Sequence, residues 1–106
     1  MDTLSKELLL ASENNVLIEF AKRFNIAPEL IILPNKASEI SELRQLYCKL
    51  RHENHGLNLA ATGREINRKH STVRYAVKRI NELLQTKDPR TEALWKRVED
   101  IPGFYM

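Results

Sequence analysis

The chain has 106 residues, 42% hydrophobic and 29% charged, a composition that suits one globular domain and excludes a disordered chain. A single cysteine, Cys48, excludes an internal disulfide, and the lack of a signal-peptide pattern or a membrane-length apolar run makes a cytoplasmic protein the expectation. The formal charge of +3 is uneven: residues 1–62 carry seven Lys/Arg and eight Asp/Glu, residues 63–80 six and one, and residues 81–106 four and five. The entire positive excess therefore falls in one short block, as a local binding surface for a polyanion requires.

In chain order, "LSKELLLA" at 4–11 reads as a short apolar helix. "SENN" at 12–15 is a helix start, with Ser12 the expected N-cap. Val16, Phe20 and Phe24 then step by four along one face. Asn25 suits the left-handed residue after a helix, and Pro28 suits the first turn of a short helix over 27–31. Pro34 separates that turn from a longer helix whose apolar positions are Ile40, Leu43, Leu46, Tyr47 and Leu50, ending at Gly56. Asn58 is the expected cap of the next helix, with Leu59, Thr62 and Ile66 turned inward. The turn "NRK" leads into a helix from His70 to Gln85 whose buried stripe is Val73, Val77, Ile80 and Leu84. Asp88-Pro89 is a cap followed by a first-turn proline. The last helix it opens packs through Leu94, Trp95 and Val98.

No segment has the alternation of a strand, so the expected fold is all-α, a compact multi-helix domain. Two short amphipathic helices joined across 67–69 form a helix-turn-helix, whose second helix enters the DNA major groove in such units. With Val73, Val77 and Ile80 inward, His70, Ser71, Arg74, Tyr75 and Lys78 lie outward. Small polar residues then lead into the groove and later cations reach phosphates. Gly63, in the first helix, is expected to permit close approach of two helix backbones, offsetting a propensity cost of ~1 kcal/mol.

"VLIEFAKRFNIAPELI", "SEISELRQLYCKL" and "NLAATGREINRKHSTVRYAVKRI" together resemble the C-terminal DNA-binding domain of the bacterial chromosomal replication initiator DnaA. The match runs over 16–86, with 1–15 as an N-terminal helix or linker and 87–106 as a final helix and tail on the same domain. The third stretch is similar to a family pattern S-L-x-E-I-G-R-x-F-G-G-R-D-H-T-T-V-x-x-A-x-x-K-I. The resemblance implies base reading by His70, Ser71 and Thr72, with Arg74 beside them, and a minor-groove role for Arg44. It implies phosphate contacts for Arg68 and Arg79, joined by Lys69, Lys78 and Arg64 on charge and position. Double-stranded DNA is the implied partner, alongside other replication or regulatory proteins, and association with the nucleoid follows.

The chain departs from the pattern in two places. A single Asn67 replaces the paired glycines, and Lys69, a donor, replaces an acidic acceptor. A target sequence unlike the family's is therefore expected. The segment before the Arg44 helix, "LPNKASE", offers only Lys36 and includes Glu39. That thinning favours the alternative, a helical interaction module or transcriptional regulator that keeps the fold with weak or altered DNA affinity. No G-x-x-x-x-G-K-[ST] loop is present, so neither a nucleotide cofactor nor ATP-driven melting is expected of this chain. His52 and His55 are three apart without a matching ligand set, and are expected to serve a helix end rather than a metal. Cys48 beside Tyr47 is expected to be a buried apolar residue, and no catalytic constellation stands out, so an enzyme is not expected. Leu94, Trp95, Phe104 and Tyr105 form either core packing or an exposed patch for a partner.

Overall fold

The computed structural model describes Ala11 and residues 13–103. The expected helix over 4–11 and the patch residues Phe104 and Tyr105 lie outside the described residues, apart from Ala11, which is buried. Helix α1 spans Asn15–Arg23, α2 Glu29–Ile32 and α3 Ser38–Lys49, which runs on into a π-helical turn at Leu50–Asn54. Then follow α4 (Leu59–Ile66), α5 (His70–Gln85) and α6 (Pro89–Lys96). The described residues contain no strand.

Local sequence chemistry accounts for most boundaries. Asn58 caps α4 by accepting from the Ala61 amide at 2.8 Å, and Asp88 caps α6 by accepting from the Thr91 amide at 3.0 Å. Asn25, Asn67 and Gly56 take the left-handed conformation, with φ of 55°, 57° and 72°, where Asn and Gly meet the least strain. The cap of α1 differs from expectation. It is Asn14, not Ser12, whose side-chain oxygen accepts from the Leu17 amide at 3.0 Å. The other end of the same amide donates to the Tyr47 hydroxyl at 3.0 Å. A tertiary partner thus selects one asparagine from a stretch in which several residues are chemically able to cap.

One core holds the helices together. Phe20, Leu17, Ile31, Ile32, Leu46, Tyr47, Leu50, Ile66, Val73 and Val98 are fully or almost fully buried. Phe20 meets both Phe24 and Tyr47 edge to face, with ring centroids 5.2 Å apart in each case. Helix α5 packs along α3 and α4, so the core stripe Val73, Val77 and Ile80 fixes which side of α5 faces out. Lys49 ties α3 to three other elements. Its ammonium donates to Glu53 at 2.6 Å and Asn81 at 2.7 Å, and sits 5.1 Å from the ring centre of Trp95. Trp95 is part of the packing between α6 and the body. Residues 97–101 return to α1, where Arg23 donates to the Arg97 carbonyl and pairs with Asp100 at 2.8 Å.

Candidate nucleic-acid interface

The helix-turn-helix consists of α4, the turn Asn67–Lys69 and α5. Asn67 ends α4 in the left-handed conformation, and the amides of Asn67 and Arg68 both donate to the Gly63 carbonyl. A Cβ on Gly63 would stand 2.3 Å from the Arg68 carbonyl oxygen. Glycine is needed here because the chain leaving the helix folds back over it, rather than because a second helix approaches. The close approach falls at the expected residue, with the turn in place of a second helix as the approaching group.

Helix α5 carries sixteen residues, so it extends about 24 Å. No side chain caps its N-terminus, which leaves first-turn amides and the positive end of the helix dipole facing outward. His70, Ser71, Thr72, Arg74, Tyr75, Lys78 and Arg79 are exposed on it, as are Lys69 just before it and Arg64 on α4. Among the described residues Arg64, Lys69, Arg74, Lys78 and Arg79 make no ion pair. Tyr75 is 63% exposed. Its wheel position opposite the buried stripe points it outward.

The only acid in this block is turned the other way. Glu65 accepts from Arg51 through both oxygens, at 2.8 and 2.7 Å, and from the Tyr47 hydroxyl at 2.6 Å. Burial raises the Glu65 carboxyl, but hydrogen bonds from Arg51 and Tyr47 outweigh it and hold the group below its usual range. The same network raises the Arg51 guanidinium, chiefly through Glu65. The negative charge that would have neutralised part of the cationic face is thereby matched on the far side of α4.

Two cations expected at the interface are bonded to the scaffold. Arg44 is 9% exposed. Its Nε donates to the Ile31 carbonyl at 2.8 Å, and its Nη2 reaches the carbonyls of Leu30, Leu33 and Asn35 at 3.1–3.4 Å. Burial lowers its guanidinium to about 10, and the nearby charge of Arg68 acts in the same direction. The side chain expected to enter the minor groove here serves the orphan carbonyls at the end of α2. Arg68 is half-buried, with Nη1 donating to Ile32 and Ile66 at 2.9 Å and Nη2 to Leu33 at 2.9 Å. It pins the turn to α2 through these contacts. Charge and spacing in the sequence carry no sign of these partners, because they are backbone carbonyls.

The histidines and the cysteine also have packing roles. His52 Nδ1 lies 2.8 Å from the Leu57 carbonyl. His55 bridges Arg51 Nη1, 2.9 Å from Nδ1, and the Ile101 carbonyl, 2.7 Å from Nε2. Since guanidinium only donates and a carbonyl only accepts, His55 is protonated on Nε2 and accepts through Nδ1. Cys48 is buried and its thiol is pushed up to about 12, first by burial, a state unsuited to nucleophilic chemistry. No described helix is long and apolar enough to cross a membrane.

Compared with known proteins, residues 14–80, more than half of the chain, match the family model described as the bacterial dnaA protein helix-turn-helix. No curated protein and no solved structure matches the chain.

Proposed function

The chain belongs to the bacterial dnaA protein helix-turn-helix family, and from that premise we propose that it binds double-stranded DNA by laying α5 in the major groove. One observation carries this reading: five cations face outward without an ion pair among the described residues, while the block's sole carboxylate is held inside by Arg51 and Tyr47. His70, Ser71 and Thr72, on the first turn of α5, present an imidazole and two hydroxyls to base edges. Arg74 follows one turn later, and Tyr75 adds ring surface suited to a thymine methyl. Lys69, Lys78, Arg79 and Arg64 hold phosphates of the flanking strands. In this reading residues 16–86 are the DNA-binding unit, 87–106 its packed extension and 1–15 a connection to other replication or regulatory proteins. The place of action is the nucleoid, and the process is replication initiation or its control.

Salt dependence tests it. Four neutralised phosphates give a log–log slope of affinity against salt near −4, from ~0.9 per contact. A selection from random duplexes at two salt concentrations reads affinity and sequence preference together. A flat slope with no enriched sequence would remove DNA as the partner and leave a helical interaction module.

A further inference from the structure

A groove of about 640 Å³ runs beside α5, between that helix, the π-helical turn and the start of α4. Leu59 and Val77 give it apolar surface, and both pack on the core beneath. A hydrogen-bonded triangle holds one wall. Lys49 donates to Glu53 at 2.6 Å and to Asn81 at 2.7 Å, and Asn81 donates to Glu53 at 2.9 Å. These bonds join the π-helical turn to α5, so the groove keeps its shape without an occupant. Its volume lies within the ~300–1,000 Å³ of sites that take a ligand.

The rim holds uncommitted charge in a fixed order. Arg74, Lys78 and Glu82 all line the groove, and none makes an ion pair among the described residues. Arg74 and Lys78 make one end positive. Glu82, two helical turns or about 12 Å beyond Arg74, makes the other end negative.

That order decides between occupants. A polyanion fits poorly, because Glu53 and Glu82 would repel it along the wall. A small anion would satisfy one end only. An extended peptide has no sheet edge to join, since the described residues contain no strand. A helix with an acid and a base about two turns apart, and apolar residues between them, matches both ends and the floor.

We propose that this groove takes an amphipathic helix of a partner protein. Its apolar residues lie on Leu59 and Val77, its acid on Arg74 and Lys78, and its base on Glu82. Arg74 and Lys78 also belong to the proposed DNA face, so occupant and duplex exclude each other. That exclusion rests on the DNA reading, whereas the groove itself does not.

The test selects from a displayed library of helical peptides against the full chain, then assays synthetic copies of the enriched peptides. These are expected to carry an acid and a base two turns apart around apolar residues. They should also shift the Leu59 and Val77 methyl resonances saturably. Glu82→Lys, at an exposed position, should weaken the same peptides about tenfold through like-charge contact. Used as the selection target, it should enrich an acid where the wild-type chain enriches a base. Glu82→Gln, expected to cost about threefold, reads the same contact should the charge reversal disturb α5. No enriched peptide, or peptides indifferent to both changes, overturns the proposal.

A second arm adds a labelled duplex. The enriched peptides should displace it from the wild-type chain and, at the same concentration, leave it bound to Glu82→Lys. A complex holding peptide and duplex together overturns the exclusion. A chain that ignores duplexes yet binds the peptides, and loses them in Glu82→Lys, upholds the groove and removes only the DNA reading.

Discussion

Arg51 and Arg74 carry the same guanidinium and meet opposite environments. Arg51 is almost fully buried in a two-point pair with Glu65, at 2.7–2.8 Å, and also reaches His55 and the Gly103 carbonyl. Arg74 stands on the outer face of α5, exposed and without an ion pair among the described residues. Arg44 and Arg68 side with Arg51, and Arg64 and Arg79 with Arg74. The first group braces the helices that carry the second. Net charge alone cannot separate them, since a cation bound to carbonyls still counts as positive while its hydrogen-bonding capacity is already committed. The proposed interface is therefore smaller than the basic block suggests, and its geometry depends on residues outside it.

The contrast predicts that changes on the bracing side act on stability and changes on the outer side act on binding. The largest effect is expected from Glu65→Gln, which leaves the Arg51 charge buried without its partner. Removing one member of a buried pair costs about 3 kcal/mol, read as a lower denaturation midpoint, and duplex binding should fall only through unfolding. An unchanged midpoint would mean the pair contributes nothing. The same carboxyl sets an acid limit. Because Glu65 is held below its usual range when folded, the folded chain binds fewer protons than the unfolded one. Its contribution is full above the unfolded value of ~4.3 and fades as pH falls through the lower folded value. Glu65→Gln should flatten that part of the stability–pH curve.

Next comes Gly63→Ala. Alanine is the better helix residue, yet its methyl meets the Arg68 carbonyl, so a loss of about 2 kcal/mol is expected in place of a gain. A more stable variant would show that the turn has room to move. The smallest effects on folding belong to Arg74→Ala and Arg79→Ala. Each should leave stability within ~0.5 kcal/mol and weaken duplex binding about tenfold, with Arg79→Ala also reducing the salt slope by about 1 and Arg74→Ala relaxing sequence preference. Either variant unfolding the domain would place its side chain on the bracing side.

Much of the fold was legible before any coordinates. The stripe Val73, Val77 and Ile80, the caps Asn58 and Asp88 and the left-handed Asn25 rest on side chains acting within a few residues of themselves, so spacing exposes them. The helix from His70 to Gln85 emerged with the expected ends for the same reason. Legibility ended where the partner lay far along the chain. Asn14 displaced Ser12 as a cap through Tyr47, 33 residues away. Arg68 reaches Ile32 and Leu33 across 36 and 35 residues, and Arg51 reaches Glu65 across 14. The family resemblance likewise gave no sign of the carbonyls that Arg44 and Arg68 meet, because similarity of residue type does not report which groups a long side chain reaches.

The order of amino acids was thus enough to specify an all-helical chain with a helix-turn-helix, and to concentrate its positive excess between residues 63 and 80. Folding chose which of those charges stay available to a partner. Helix period and capping are short-range and written in neighbouring residues, whereas the fate of a guanidinium depends on which carbonyl or carboxylate the packed core brings within about 3 Å.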